Sequence, residues 1–248
     1  MYSTPVMLST CCVLFAAVTG CDDSVELCST TAVQCIDDAV SDLSLHSDKI
    51  SAGTVTNSEE SGDFVSVIDA TAGGAMEAAN NAYLYMKFTN SGLTKVEIDD
   101  ETALESQDWH IAARRYVIRL NGGASGPSCV GAAFVDGMGY ADVNEVPSGA
   151  TFITDGYYDG KCTLVLDGSG VPGSPKVALT GWWDYTVRCV QMTMKPAVIE
   201  LDDGRYLKLI VESYYETDQD VCNNTGLGGK TSGIIKARWR FLDRGQER

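Results

Sequence analysis

GRYLKLIVESYY, residues 204–215, reads as a β-strand with two unequal faces. Leu207, Leu209, Val211, Ser213 and Tyr215 alternate with Tyr206, Lys208, Ile210, Glu212 and Tyr214, the period of two that a pleated backbone imposes. The first set is the expected inward face. Just upstream, AVIEL (197–201) is joined to it through Asp202-Asp203-Gly204, and an Asp-Gly pair tolerates the positive φ that a tight hairpin turn demands. Downstream, Ile235, Ala237, Trp239 and Phe241 alternate with Lys236, Arg238 and Arg240, giving a last strand with one apolar and one basic face. Tyr83 and Tyr85, with Leu84, Met86 and Phe88, form an earlier strand of the same kind. From Asp63 onward, short apolar runs are divided by Gly, Asn, Asp and Pro, spaced as in all-β domains rather than βαβ units. The expected fold is therefore an all-β domain over residues 63–248. Thr71–Ala82 (TAGGAMEAANNA) reads equally as a short helix or a loop.

With 44% hydrophobic residues and 25 glycines in 248 residues, the chain can bury one sizeable core. Its formal charge of -16 argues against a nucleic-acid partner, because phosphate binding needs a basic surface that gains from counterion release. Residues 22–62 are rich in Asp, Glu, Ser and Thr without sustained alternation and read as an acidic, flexible tether, with His46 facing solvent. Before them, PVMLSTCCVLFAAVTG (5–20) has the length of a signal-peptide core and is short for a bilayer span. It ends in Val18-Thr19-Gly20-Cys21, a lipobox-like run in which small residues admit a peptidase and the Cys21 thiol takes a lipid. The expectation is a signal peptide over 1–20 and a lipid anchor at Cys21 in the cell envelope, at the outer membrane or cell surface. The first ten residues lack Lys and Arg, and the competing reading is a buried N-terminal helix with an incidental cysteine. Processing would leave Cys28, Cys35, Cys129, Cys162, Cys189 and Cys222, an even number that allows up to three disulfides in an oxidising compartment. Cys28 and Cys35 are near enough in sequence to close a small loop; the pairing of the other four is open. No C-x-x-C occurs and only two histidines are present, which disfavours a zinc-thiolate site.

DWHIAARRYVIRLNGG (108–123), followed by Ala124-Ser125-Gly126, resembles the signature of the HmuY family of haem-binding lipoproteins. The matching residues are Trp109, Ala112, Arg115, Tyr116, Arg119, Asn121, Gly123, Ser125 and Gly126. Gly181-Trp182 with Tyr185, and the late hairpin ending in SGIIKARWRF, look alike too, so the resemblance spans Tyr83 to Phe241. It implies a compact antiparallel sheet body with a projecting hairpin region that helps to hold haem. On the residues alone, Tyr116, Ile118 and Leu120 alternate with Arg115, Val117 and Arg119, so one strand face carries guanidinium groups. Such forks pair with haem propionates or with the protein's own carboxylates.

Haem also needs an apolar slot and axial ligands drawn from His, Met, Tyr or Cys thiolate. The resemblance implies one ligand in a loop well after the signature and one just beyond the Gly-Trp strand. Asp155–Gly173 offers Tyr157, Tyr158 and Cys162; Asp184–Lys195 offers Tyr185, Cys189, Met192 and Met194. Met192 is the leading candidate, with Cys189 beside it and Met138, between glycines in a loop, as an outside one. Tyr157, Arg115 and Arg119 complete the candidate cofactor-binding set. His110 stands where the family usually has Asp and reads as a histidine satisfied within the sheet.

Enzymatic patterns are weak. Gly168–Gly173 (GSGVPG) matches G-x-G-x-x-G, but Ser174-Pro175 follows and no helix can open there. Asp155–Gly160 lacks the third oxygen ligand and the distal Glu of a calcium loop, and no G-x-S-x-G elbow occurs. The expectation is a binding protein whose partners are haem or another apolar ligand, and an outer-membrane receptor. The alternative is a non-haem surface module on the same fold, docking a receptor, peptide or carbohydrate through Trp182, Trp183, Tyr214 and Tyr215.

Overall fold

A computed structural model describes residues 32–186 and 188–243; Cys21, Cys28 and the expected signal peptide lie outside them. The strands are β1 Val55–Glu60, β2 Asp63–Asp69, β3 Leu84–Thr89, β4 Gly92–Val96, β5 Ile111–Arg114, β6 Val117–Leu120, β7 Gly131–Phe134, β8 Trp183–Thr186, β9 Cys189–Met192, β10 Ala197–Glu200, β11 Tyr206–Thr217 and β12 Lys230–Leu242. Three short helices join them: α1 Ile36–Asp42, α2 Asp100–Ala103 and α3 Gln219–Thr225. A six-stranded sheet, β1-β2-β12-β11-β10-β7, faces a four-stranded one, β4-β3-β5-β6, while β8 and β9 make a separate hairpin. Every named pairing is antiparallel. The fold is all-β, as the alternation predicts.

The expected hairpins form. Asp202-Asp203-Gly204 reverses the chain between β10 and β11 with Gly204 at φ 73, and Leu201 and Arg205 close the turn. On β12, Ile235, Ala237 and Trp239 are buried while Lys236, Arg238 and Arg240 stay half-exposed, and Arg238 pairs with Glu212 and Glu60. The main core lies between the sheets, where Leu84, Met86 and Phe88 of β3 meet Leu207, Leu209 and Val211 of β11 and Trp239 of β12.

Strand β3 is buried on both faces. Its other side, with Tyr83 and Tyr85, enters a second core with Trp109, Ala112 and Tyr157. The lid of that second core comes from the segment expected to be a tether. Val33, Ala39, Leu43 and Leu45 are buried there, Ile36 and Val40 pack beside them, and β1 extends the large sheet. Residues 32–62 are therefore part of the folded body. Their apolar residues recur at helical spacing among acids, which composition alone reads as solvated. Cys35 is bonded to Cys162, 127 residues away, rather than closing a loop with Cys28. Cys129 is also disulfide-bonded. Thr71–Ala82 is irregular, apart from a 3-10 turn at Ala78–Asn80.

The distal half of β11 departs from strict alternation, and this shapes the projecting region. The pairing with β12 slips between Val211 and Ser213 and again between Ser213 and Tyr215. Both Tyr214 and Tyr215 consequently turn inward. Their two backbone N–H groups, which lose ladder partners, donate to Oε1 of buried Gln219 at 2.8 and 3.3 Å. The Gln219 amide in turn donates to the Val190 carbonyl at 3.0 Å, fastening α3 to β9. Asn223 Oδ1 accepts from Met192 N–H at 3.0 Å, and Cys189 is bonded to Cys222. The β8–β9 hairpin, α3 and the ends of β11 and β12 thus form one projecting unit.

Candidate functional site

The signature Asp108–Gly126 is not one strand but the β5–β6 hairpin, with Arg115 and Tyr116 as its two-residue turn. Arg115 sits at φ 56, a conformation that L side chains resist, and its backbone N–H donates to the Ala70 carbonyl at 2.7 Å. Past the turn, Ile118 and Leu120 face the main core, while Val117 belongs to the second. The alternation holds past the turn, and the guanidinium-bearing side of β6 faces the second core.

Arg119 is fully buried. Its Nε donates to Ser125 Oγ at 3.0 Å, Nη2 to the Ser125 carbonyl at 3.1 Å and Nη1 to Tyr85 Oη at 3.3 Å. Two buried carboxylates lie one hydroxyl away. Tyr85 donates to Asp100 at 3.0 Å, and Ser125 donates to Asp155 at 2.5 Å. Asp155 also accepts from Leu120 N–H at 3.0 Å and Ala178 N–H at 2.7 Å, yet burial pushes it up to about 6. Burial likewise raises Asp100. Tyr157, fully buried, donates to the Ala124 carbonyl at 2.8 Å and meets Ser125 Oγ at 3.1 Å. Asn121 spans Ser106 and Trp109 carbonyls, both at 2.9 Å. At Gly123, φ is 65 and a Cβ would press into the Asp155 carbonyl; at Gly126 it would press into the Asn121 side chain. The signature therefore builds a closed polar network inside the second core. Arg119 and Tyr157 are committed to it.

Arg115 points the other way. Its guanidinium donates to the Ser232 carbonyl at 2.5 Å and Ser232 Oγ at 2.6 Å, and lies 5.7 Å from the Tyr214 ring centre. Here the hairpin turn meets the projecting unit, leaving a cleft of about 420 Å³ lined by Arg115, Tyr116, Tyr185, Arg188, Tyr214 and Tyr215. Val171 and Pro172, from the loop after Asp167, and Val190 add apolar lining. A second hollow of about 490 Å³ shares Ala75, Arg115, Tyr116, Val171 and Pro172 with the first. It continues past Tyr83, where Arg114 stacks at 4.1 Å. Tyr116 leans on Trp183 with ring centres 5.0 Å apart, and Tyr214 on Tyr215 at the same 5.0 Å.

The electrostatics of the first cleft run against those of the chain. In a protein of formal charge -16, it is lined, among the described residues, by two arginines and by no Asp or Glu. Among the described residues neither Arg115 nor Arg188 has a carboxylate ion pair. An aromatic slot with two arginines in its lining suits a flat apolar ligand bearing carboxylates. A hollow elsewhere, of about 880 Å³, borders Ala32 and Val33, where the described residues begin.

The two segments expected to supply ligands do converge here: Gly170–Pro172 from the first and Tyr185, Arg188 and Val190 from the second. Other candidates do not. Met192 is half-buried against the main core and lines neither hollow. Met138, 43% exposed, sits on the loop after β7. Cys189 is a correction, since its sulfur is bonded to Cys222 and offers no thiolate. His110 is enclosed within the fold: Nδ1 accepts from Phe88 N–H at 3.1 Å, while buried Nε2 makes no well-formed hydrogen bond and lies 3.3 Å from Asp202, which this contact holds below the usual carboxylate range. Gln219 and Asp155, which position the cleft walls and the signature, carry no pattern in the sequence that singles them out.

A family model described as HmuY protein matches residues 79–227. Among curated proteins none matches the chain. Among solved structures the chain is similar to a Bacteroides vulgatus protein provisionally named HmuY-like and heme-binding, with 15% identity and a TM-score of 0.47, over 75% of this chain and 95% of that one. It is similar as well to a Tannerella forsythia protein named an apo HmuY analog, with 16% identity and a TM-score of 0.41, over 79% of this chain and all of that one, 100%.

Proposed function

Because this chain belongs to the HmuY family, we propose that it is a binding protein of the cell envelope that takes up haem in the cleft between the β5–β6 turn and the β8–β9 hairpin. The observation that carries the reading is the arginine-bearing, tyrosine-lined slot, without Asp or Glu among the described residues that line it, in a strongly acidic protein. Val171, Pro172, Val190 and Tyr116 would cover the macrocycle, whose burial supplies most of the affinity. Arg188 and Arg115 would meet the propionates with charge-assisted hydrogen bonds. Haem iron supplies redox and ligand chemistry when bound; the chain's own task is to hold, orient and shield it.

Arg188 is exposed and its loss leaves the fold unburdened. Arg188→Ala is expected to weaken ferric haem binding about 10-fold, the loss of one charge-assisted contact, read by fluorescence quenching of the cleft aromatics. Equal affinity in the variant, or no quenching by haem in the parent domain, would remove this assignment.

The placement in the envelope rests on Val18-Thr19-Gly20-Cys21. We propose that Cys21 carries the lipid that tethers the domain to the membrane, with an outer-membrane receptor as a partner. Labelled palmitate should enter the full chain and fail to enter Cys21→Ala; incorporation in both would refute the anchor.

A further inference from the structure

Four tyrosines line the first cleft, and their environments differ. Tyr214 and Tyr215 are buried, and the Tyr215 hydroxyl accepts from Val190 N–H at 3.1 Å. Burial pushes the phenols of Tyr214, Tyr215 and Tyr116 up from their ordinary value, which holds each in its neutral form. Neutral phenol oxygen is a poor ligand for a ferric ion, so these three rings serve as walls. Tyr185 is different: it is 49% exposed, and among the described residues its hydroxyl has no hydrogen-bond partner. It lies across β8–β9 from Val190, three residues before Arg188, the exposed cation on the same hairpin. Among the described residues no His, Met or Cys lines this cleft.

We infer that Tyr185 is the axial ligand of the iron, bound through its phenolate oxygen, and that the site selects ferric over ferrous haem. The inference rests on the proposed haem function and names the ligand within it. The exchange balances: the hydroxide on aqueous ferric haem takes the phenol proton and leaves as water, the Fe–O(Tyr185) bond replaces the Fe–OH bond, and iron stays ferric throughout. An anionic oxygen stabilises the higher charge of ferric iron over that of ferrous iron.

The test compares the parent domain, Tyr185→Phe and Met192→Leu, each titrated with ferric haem and with metal-free protoporphyrin IX. The parent should give a high-spin ferric spectrum with a phenolate-to-iron charge-transfer band and phenolate modes in resonance Raman. Tyr185→Phe should lose both signatures and bind ferric haem at least 10-fold more weakly, while binding protoporphyrin IX as the parent does. Dithionite reduction of the parent complex should release the ligand, and Met192→Leu should change nothing. An unaltered haem spectrum in Tyr185→Phe, or its loss in Met192→Leu, overturns the ligand assignment and leaves the haem site standing if protoporphyrin IX still binds. Failure of the parent to bind either tetrapyrrole overturns both.

Discussion

Arg119→Met is expected to destabilise the domain by about 3–5 kcal/mol, the cost of removing one partner from a buried charge network. The guanidinium is fully buried and touches Ser125 and Tyr85, each of which hands a hydrogen bond to a buried carboxylate. Without it, Asp155 loses the cation that offsets its charge and Asp100 keeps only Arg114, and neither a hydroxyl nor a backbone N–H carries the charge that would replace Arg119. The stack of Arg119 on Tyr83, at 4.8 Å, is lost as well. Urea denaturation at neutral pH should show a lower midpoint with an unchanged slope. The pH dependence separates this mechanism from simple loss of packing. Asp155 has a folded-state value of about 6, above its unfolded one, so the folded state binds the proton more tightly. Its contribution to stability is full below about pH 4 and is lost as pH rises through about 6. In Arg119→Met the carboxylate is harder still to ionise, so the penalty should shrink when the measurement is moved from about pH 7.5 to about pH 5. A penalty that is the same at both, or under about 1 kcal/mol, would show that the network is not held by this charge. Asp155→Asn in the Arg119→Met background should recover part of the loss, since the two sites share one network.

Loss of the Cys189–Cys222 bond is the second large effect. It closes a separation of 33 residues, for which chain entropy alone gives roughly 3–4 kcal/mol. The double variant Cys189→Ser/Cys222→Ser avoids leaving an odd thiol and should unfold at correspondingly lower urea. The local consequence is more telling than the global one. This bond joins β9 to α3, and the hydrogen bonds of Gln219 and Asn223 to Val190 and Met192 depend on the same approach. Hydrogen exchange should therefore rise first in β8, β9 and α3, while β3 and β12 stay protected. The cleft shares those walls, so haem affinity should fall in the double variant even where the sheet body is still folded. Uniform loss of protection across the domain, or unchanged affinity with the bond absent, would show that the projecting unit does not need its covalent tie.

Legibility followed the range of the interaction. The β10–β11 hairpin, the faces of β12 and the apolar positions of β3 were readable, because strand periodicity and turn chemistry act over a few residues. Misreadings cluster where a distant segment supplies the answer. Residues 32–62 look like a tether until their scattered apolar side chains are placed over Tyr83, Trp109 and Tyr157. The inward turn of both Tyr214 and Tyr215 follows from a slipped register that Gln219 repairs, which no alternation rule anticipates.

By itself, then, the sequence determined the all-β class, the antiparallel pairing at its C-terminal end and the family, since each is carried by patterns contiguous along the chain. Only the tertiary structure decided that Arg119 is interior while Arg115 borders a cleft, although the two lie on one hairpin. It alone decided which cysteines pair and which tyrosines share a slot. The reason is physical: whether a side chain meets solvent, a carboxylate or a ligand depends on the surface brought against it, and those surfaces come from segments as far as 178 residues apart, as Glu60 and Arg238 are.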